Sequence, residues 1–372
     1  MYIVLSGARQ NSGDFLIGAR CKALLNKHKP GEELIQFDSA TPLLEHLELV
    51  NQSKGIIVMG GPGYRPDMYP GIYTLTPDLA DIKAPIILLG MGWKGENAEP
   101  STVKNYNFSS QSFGLLEKSL DRDGGFLSCR DYYTWQVLKE HGLNNVLMTG
   151  CPAWYELDSL YTEYKPPEKL EQIVYTPPAQ PKYKEQAIRV AETLKELFPN
   201  ATISGFFHHG FSSQGKSGNE DFFHNQRMMR DELDRLGIAS EDVSGSVSGM
   251  SKYRAIDLHV GYRVHAHIDC LSRRRTSILI HEDGRGAGLD DALGIPGINA
   301  WKAQAVTSKK NIVERLRGHI SCRMNYTVND QVPNQLKNLI ERECDHGFSS
   351  FFGIDKKLDN YYQVMAKFIE SF

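Results

Sequence analysis

The sequence predicts an α/β protein built from two Rossmann-like domains that face each other across a cleft. Short apolar runs of strand length alternate with amphipathic stretches of helix length along most of the chain. Several runs end in glycine, as those at residues 56–59 and 86–89 do. This is typical of parallel strands whose ends let backbone approach a ligand. The alternation restarts after a polar, proline-bearing stretch at residues 156–171, which separates two similar halves.

The length supports this division, because 372 residues exceed what one ordinary hydrophobic core accommodates. We predict a first Rossmann-like domain at residues 1–160 and a second at residues 161–330. Two amphipathic helices are expected at residues 331–372, where apolar side chains recur at helical spacing.

Composition and charge exclude several classes of protein. The chain has 41% hydrophobic and 23% charged residues and a net charge of −3, which indicates a globular protein without a general nucleic-acid surface. No apolar run has the roughly 18 residues that a membrane-spanning helix needs, and no basic segment precedes an apolar core at the N-terminus. We therefore expect a cytoplasmic protein.

The six cysteines lie far apart and form no CxxC pair. This spacing predicts reduced, mostly buried thiols and no zinc site.

In the first half, six apolar runs predict strands, at residues 2–7, 34–37, 56–59, 86–89, 125–129 and 145–150. Helices are predicted after the polar turn at residues 11–14, at residues 41–50 and from Asp131 to Gly142. The turn at 11–14 contains a helix cap, and Asp14 is either that cap or a ligand for a substrate. The glycines at 60–63, among them Gly61 and Gly63, do not fit a dinucleotide fingerprint, so plain turns and a ligand loop both stay open.

In the second half, strands are predicted at residues 172–178, 201–207, 257–261 and 276–280, and helices at 184–197, 222–236, 251–256 and from 264 onward. The last strand is followed by a predicted loop-to-helix junction that carries Arg285. Residues 210–219 are expected to form a loop. His208 and His209 follow the second of these strands. They either reach the cleft or belong to the loop.

Residues 257–269 (DLHVGYRVHAHID) are the stretch on which the functional prediction rests. The pattern predicts a strand, a glycine turn and the first turn of a helix that carries Arg263 and His265. A helix N-terminus has free N–H groups and a positive dipole end, so this place suits an anion with a proton donor beside it. A metal site at His265 and His267 is not expected, because no further ligands recur at ligand spacing. Arg130 occupies a similar strand-to-helix junction, where an ion pair near Asp131 is the alternative.

Several short motifs occur in order along nearly the whole chain: NSGD at 11–14, GGPG at 60–63, SCRD at 128–131, GCPA at 150–153, GYRVHAH at 261–267 and LGIP at 293–296. Together they resemble the polysaccharide pyruvyltransferase family. The resemblance implies a GT-B-like pair of domains. It also implies transfer of the pyruvyl group of phosphoenolpyruvate to sugar hydroxyls, giving a pyruvate ketal on a cell-envelope polysaccharide such as an exopolysaccharide, its precursor or a glycan.

The resemblance also implies roles for individual residues. His265 matches a general acid that protonates the methylene carbon of phosphoenolpyruvate, and Arg130 and Arg263 match arginines that hold the donor. Arg285 stands where the family usually has a lysine. Anion binding would survive that change, but proton transfer by the lysine would not. The expected acceptor-side or loop residues are Asn11, Asp14, Gly61, Gly63, His208 and His209. Phosphoenolpyruvate is expected as a co-substrate, with no cofactor or metal.

Arg273, Arg274 and Arg275 depart from a glycine-proline that the family tends to show. They are expected either to contact a lipid-linked acceptor at the inner face of the membrane or to solubilise a helix end. The alternative function is a nucleotide-sugar glycosyltransferase of the same architecture, in which Glu282 or Asp283 would bind the ribose hydroxyls.

Overall fold

The computed structural model describes residues 1–122, 124–213, 220–306 and 323–372. It shows two α/β domains, each organised on a parallel sheet, and so confirms the predicted fold class. Part of the predicted loop at 210–219 and Cys322 lie outside the described residues. Among the described residues, no helix combines the length and the apolar content that crossing a bilayer requires.

The first domain contains a four-stranded parallel sheet of order β2-β1-β3-β4 and a parallel pair, β5 and β6. The pair continues from β4 through a bridge between Met91 and Cys129. These strands are β1 Tyr2–Ser6, β2 Leu34–Asp38, β3 Ile56–Met59, β4 Ile86–Leu89, β5 Leu127–Cys129 and β6 Val146–Met148. The helices are α1 Ser12–His28, α2 Leu47–Gln52, α3 Pro100–Lys104, α4 Ser110–Leu120 and α5 Tyr132–Glu140. The sequence prediction did not include α3 and α4.

The second domain contains a six-stranded parallel sheet of order β12-β11-β10-β7-β8-β9. Its strands are β7 Gln172–Thr176, β8 Thr202–Phe207, β9 Ala239–Asp242, β10 Leu258–Gly261, β11 Thr276–His281 and β12 Ile298–Asn299. The helices are α6 Lys184–Leu197, α7 Glu220–Arg235, α8 Val264–Ser272 and α9 Gly284–Leu293, and a 3-10 segment covers Ser248–Ala255. An antiparallel pair that was not predicted, β13 Trp301–Val306 and β14 Arg323–Val328, follows β12.

The two predicted C-terminal helices are present as α10 Val332–Asp345 and α11 Ile354–Glu370. Although α10 packs against α6 of the second domain, α11 returns to the first domain and packs against α1. There the Tyr2 hydroxyl donates to the Phe372 carbonyl at 3.3 Å, and His28 Nε2 lies 2.9 Å from the Tyr362 hydroxyl. The last helix therefore ties the two domains together.

The main hydrophobic core is continuous across the two domains. It includes Leu16 and Ile17 of α1, Trp154 of the connection, and Ile268 of α8, each at most 3% exposed. Burial of this apolar surface between α1 and α8 favours a closed arrangement of the domains. The five described cysteines are free, and four of them are buried. This agrees with the prediction of reduced thiols for those residues.

A buried cluster of charges joins α1 to the end of α8. Arg20 Nη2 lies 2.6 Å from Asp269 Oδ1 and 3.0 Å from Glu156 Oε2, and Arg273 pairs with the same two carboxylates. Because the two carboxylates neutralise the two arginines, the cluster joins the domains without leaving an unpaired buried charge.

The predicted membrane contact through Arg273, Arg274 and Arg275 is wrong for the first two. Arg273 belongs to this buried cluster. Arg274 is 6% exposed and lies 2.7 Å from Asp359 of α11. Of the three side chains, only Arg275 is exposed. Two of the three arginines therefore form ion pairs inside the protein, with carboxylates such as Glu156 and Asp359 from distant parts of the chain.

Candidate functional site

The predicted strand, turn and helix at residues 257–269 are confirmed by β10 and α8. Gly261 ends the strand with φ +153°, and a Cβ there would lie 2.3 Å from the Thr176 carbonyl oxygen, so any side chain would clash. Arg263 is the N-cap residue of α8 and His265 lies in the first turn. The site helix thus begins at the carboxyl end of a strand held between β7 and β11.

Arg263 reaches across the cleft to the first domain. Its Nη2 donates to Asn11 Oδ1 at 3.2 Å and to His209 Nδ1 at 3.1 Å. Burial and then Arg263 lower the pKa of His209 to about 2, so this imidazole is neutral and accepts the bond. Asn11, Arg263 and His209 are therefore brought together, as the sequence predicted for residues of one site.

His265 lies against the start of α1. A Cβ on Gly13 would be 2.0 Å from His265 Nδ1, so only glycine fits beneath the ring. The histidine is 8% exposed and makes no side-chain hydrogen bond to any residue in the described ranges. Burial, followed by the charges of Arg285, Arg130 and Arg263, lowers its pKa well below the usual value. The free protein therefore holds a neutral imidazole beside three cations.

Arg285 lies in the first turn of α9 and is held by Asp283. Its Nη2 lies 2.7 Å from Asp283 Oδ2, and its Nε is 2.9 Å from each carboxylate oxygen. Asp283 also caps α9 by accepting from the Arg285 backbone N–H at 3.0 Å. Asp283 thus binds both the side chain and the backbone of Arg285, which fixes the position of the guanidinium.

Arg130 follows β5 and enters the same space from the first domain. Its Nη2 donates to the Trp93 carbonyl at 3.3 Å, and its Nε is 3.4 Å from Asp131 Oδ2. Arg130, His265 and Arg285 together border one enclosed cavity of about 20 Å³, which has room for about one water molecule. Three predicted site residues from both domains therefore meet at one point.

A larger cavity, of about 420 Å³, lies at the carboxyl ends of β1, β2 and β3. Its lining includes Asp14, Gly61 and Gly63. The alternative that Asp14 caps α1 is wrong, because Asn11 is the N-cap and accepts from the Gly13 N–H at 3.4 Å. Burial raises the pKa of Asp14, while Asn11, Arg263 and Arg285 oppose that rise. The carboxylate therefore lies between this cavity and the arginines.

The neighbouring residues His208 and His209 have side chains with different partners, Tyr253 for the first and Arg263 for the second. His208 is 2% exposed, its Nε2 lies 2.7 Å from the Tyr253 hydroxyl, and its carbonyl accepts from the Ser12 N–H at 3.0 Å. It supports the junction between the domains and lies close to Arg263, since burial and then the charge of that arginine lower its pKa. Its role at the acceptor side stays a prediction. His209 is the one that contacts Arg263.

Sequence reasoning missed two residues of this site. Gly13 provides the surface on which the His265 ring lies, and Asp283 holds Arg285. Gly13 could have been suspected from its position in the first turn of α1, the helix that follows β1. The structure places that turn opposite the first turn of α8, which carries His265. Asp283 was noticed only as a possible ribose ligand.

Comparisons with known proteins agree with this architecture. A family model described as "Polysaccharide pyruvyl transferase" matches residues 11–280. A search of curated proteins finds no match. Among solved structures, the chain is similar to HepE from Anabaena, in complex with UDP and glucose, with 12% identity, all of both chains covered and a TM-score of 0.53. It is also similar to the UDP-GlcNAc 2-epimerase from Neisseria meningitidis bound to UDP-GlcNAc, with 8% identity, all of both chains covered and a TM-score of 0.55.

At such low identity, the structural likeness concerns the fold alone, and it supports the GT-B-like pair of Rossmann-like domains. The family match is more specific, because it covers well over half of the chain, from the cap of α1 almost to the end of β11. It includes Asn11, Arg130, Arg263 and His265. The chain belongs to the polysaccharide pyruvyl transferase family.

Proposed function

We propose that this protein transfers the pyruvyl group of phosphoenolpyruvate to two hydroxyls of a sugar in a polysaccharide, its precursor or a glycan. The product is a pyruvate ketal, and phosphate is released. One observation supports this most strongly: Arg130, Arg263 and Arg285 converge from three strand-to-helix junctions around a neutral His265.

The charge of the site matches that of the proposed donor. Phosphoenolpyruvate carries a carboxylate and a phosphate, and the planar fork of arginine binds both groups through paired hydrogen bonds. The free N–H groups at the start of α8 add a further positive potential. Asp283 balances Arg285, and Asp131 lies 3.4 Å from Arg130. Arg263 bonds only neutral groups, Asn11 and His209, among the described residues. Glu282 and Asp14 act on the Arg263 charge only through space, so its guanidinium is less engaged by carboxylates than that of Arg285.

In the proposed reaction, a first sugar hydroxyl oxygen bonds to C2 while protonated His265 gives its proton to C3, which becomes a methyl group. The bond between C2 and the phosphate oxygen then breaks, and its electron pair leaves with phosphate. The oxygen of a second hydroxyl bonds to C2 and completes the ketal. Of the two hydroxyl protons, one restores His265 and one goes to phosphate. Asp14, between the larger cavity and the arginines, is proposed to relay this second proton from the hydroxyl to the phosphate.

The low pKa of His265 in the free protein fits this scheme. Three cations and burial keep the imidazole neutral until an anion arrives. The negative charge of bound phosphoenolpyruvate opposes those cations, so it raises the pKa and lets the ring take up a proton together with the donor.

The cavity between the arginines is too small for phosphoenolpyruvate, because it has room for about one water molecule. We therefore propose that the cleft opens locally, at the side chains that border this cavity, to admit the donor and closes over it. Closure excludes water, which strengthens the electrostatic stabilisation of the reacting groups. The proposed chemistry is acid–base and electrostatic and needs no cofactor. A lipid-linked acceptor and a cytoplasmic location stay predictions.

The alternative, a nucleotide-sugar glycosyltransferase, is less well supported by the two acidic candidates. Glu282 Oε1 accepts from the Gln180 backbone N–H at 2.9 Å, and Asp283 is engaged by Arg285. Asp283 is the more fully engaged of the two, because both of its oxygens bond the Arg285 side chain.

The proposal is tested by phosphate release from phosphoenolpyruvate in the presence of a panel of sugars, oligosaccharides and lipid-linked glycans. We expect release that depends on one class of acceptor, with one ketal formed per phosphate and a new methyl signal in the proton NMR spectrum of the product. Transfer of a sugar from a nucleotide sugar, with no phosphate released from phosphoenolpyruvate, would contradict it.

A further inference from the structure

A continuous chain of buried hydrogen bonds runs behind the site in the second domain. It begins at Thr176 at the end of β7, whose Oγ1 lies 2.8 Å from His259 Nε2. His259 Nδ1 lies 2.6 Å from Ser277 Oγ, which in turn lies 2.7 Å from His267 Nδ1. His267 Nε2 then lies 2.8 Å from Asp290 Oδ1. The chain therefore crosses from β7 through β10, β11 and α8 to α9.

The chain continues beyond Asp290 and ends at Asn299, the last residue of β12. Asp290 Oδ2 lies 2.7 Å from His281 Nε2, and His281 Nδ1 lies 2.9 Å from Asn299 Oδ1. His281 is the last residue of β11, and Asp290 belongs to α9, the helix whose first turn holds Arg285.

The other end of the chain meets the backbone of Arg263. The Arg263 N–H donates to Thr176 Oγ1 at 3.3 Å, and the Tyr262 N–H donates to the Thr176 carbonyl at 2.8 Å. These bonds hold the turn that starts α8. One set of contacts thus connects the turn that carries Arg263 with the helix that carries Arg285.

The bonds between the Arg263 N–H and Asp290 run in one direction, and the bond from His281 Nε2 reaches Asp290 from the opposite side. An ionised Asp290 accepts from both neighbouring imidazoles, so His267 donates through Nε2 and accepts from the Ser277 hydroxyl through Nδ1. Ser277 then accepts from His259, which accepts from the Thr176 hydroxyl, which accepts from the Arg263 N–H. The imidazoles lower the pKa of Asp290 against the effect of burial, which agrees with an ionised carboxylate. Each bond polarises the next in the same sense.

The burial of these groups makes the chain costly to disturb. Thr176, His259, Ser277 and His267 are each 0% exposed, and Asp290 is 3% exposed. A buried polar group that loses its partner destabilises the protein, because it keeps the full cost of its lost hydration. Apolar side chains would fill this core equally well. A line of five buried polar side chains therefore fits a role in fixing the positions of the elements that they connect. His267, singled out by its sequence position, belongs to this chain and does not face the donor site.

We propose that Thr176, His259, Ser277, His267 and Asp290 are positioning residues that hold Arg263 and Arg285 at the spacing required by phosphoenolpyruvate. This inference rests on the proposed function. None of the five residues is assigned a direct contact with the donor. A small change in the position of a binding group, of about 1 Å, is enough to lower activity by about 100-fold.

The test compares Thr176→Val with Thr176→Ser. Valine keeps the volume but removes the hydroxyl, whereas serine keeps the hydroxyl. The matched control is Thr276→Val, because Thr276 is 1% exposed, bonds the Tyr164 hydroxyl at 2.7 Å and lies at the opposite end of the same sheet. The Kd for phosphoenolpyruvate is measured by calorimetry and the thermal midpoint by circular dichroism.

We expect Thr176→Val to weaken phosphoenolpyruvate binding by roughly 10-fold, the loss of about one hydrogen bond, while Thr176→Ser stays near the wild type. Thr276→Val should lower the thermal midpoint to a similar extent without changing the Kd. Equal affinity in Thr176→Val and wild type, or equal weakening in Thr276→Val, would overturn the inference.

Two further outcomes are separable. If Thr176→Val does not fold, Ser277→Ala interrupts the chain with the loss of one oxygen, and the same change in Kd is expected; wild-type affinity in that variant would overturn the inference. If the wild type itself does not bind phosphoenolpyruvate, the proposed function fails, whatever the variants do.

Discussion

Replacement of His265 by alanine is expected to lower turnover by about 10²–10⁴-fold, the usual contribution of a general acid. The reason is chemical, because the variant has no group to give a proton to C3 of the donor. The ring makes no side-chain hydrogen bond to the described residues, so its removal leaves no buried polar partner unsatisfied. The Kd for phosphoenolpyruvate should therefore change only a few-fold, since the arginines remain.

The measurement is phosphate release under saturating donor and acceptor, together with calorimetric binding of the donor. His46→Ala is a suitable control, because His46 is half-buried against Phe37 in the first domain, away from the cleft. Turnover by His265→Ala close to that of the wild type would eliminate this histidine as the general acid.

Replacement of Arg263 by alanine should act on binding instead. This arginine carries a charge that bonds only neutral groups among the described residues, and hydrogen bonds to charged groups contribute about 1.5–3 kcal/mol. The Kd for phosphoenolpyruvate is expected to rise by roughly 10- to 150-fold. Arg263→Lys should give a smaller rise, because an ammonium keeps the charge but cannot span Asn11, His209 and the donor at once.

Calorimetric titration with phosphoenolpyruvate measures this effect. The matched control is Arg275→Ala, which removes an exposed arginine twelve positions further along the same strand-and-helix region. An unchanged donor affinity in Arg263→Ala would remove the residue from the donor site. A comparable loss in Arg275→Ala would show that net charge, and not the site, governs binding.

Local pattern was sufficient for much of the fold and for the centre of the site. The alternation of apolar runs and helical stripes identified the strands of both sheets except β9 and β12, which are two to four residues long. The DLHVGYRVHAHID stretch gave β10, the turn at Gly261 and the start of α8. Arg130, Arg263 and Arg285 all follow parallel strands. Arg263 and Arg285 follow neighbouring strands of one sheet, so their proximity was predictable from position. Arg130 follows a strand of the other domain, and its approach depended on the prediction that the two domains face each other.

The parts that the sequence did not predict depend on contacts between distant segments. His208 and His209 are equivalent by position, but neighbouring side chains at a strand end point to opposite sides. The structure buries the first against Tyr253 and brings the second to Arg263. No local pattern distinguishes the two.

Arg273 and Arg274 illustrate the same limit. A run of three arginines indicates an exposed basic surface, but Glu156 and Asp359, from remote parts of the chain, neutralise two of them. The hydrogen-bond chain from Thr176 to Asn299 was also invisible, because its members come from four strands and two helices. Such pairings become apparent only when the topology is known.

The central claim is that the arginine and histidine cluster binds phosphoenolpyruvate, and thermal stability with separate ligands tests it without knowledge of the acceptor. The panel comprises phosphoenolpyruvate, nucleotide sugars and nucleoside diphosphates. A ligand at about 100 times its Kd stabilises the native state by roughly 2.7 kcal/mol, which raises the midpoint by a few degrees. We expect stabilisation by phosphoenolpyruvate and none by the nucleotides. Stabilisation by a nucleotide, with no effect of phosphoenolpyruvate, would contradict the account and assign Arg263 and His265 to a diphosphate site.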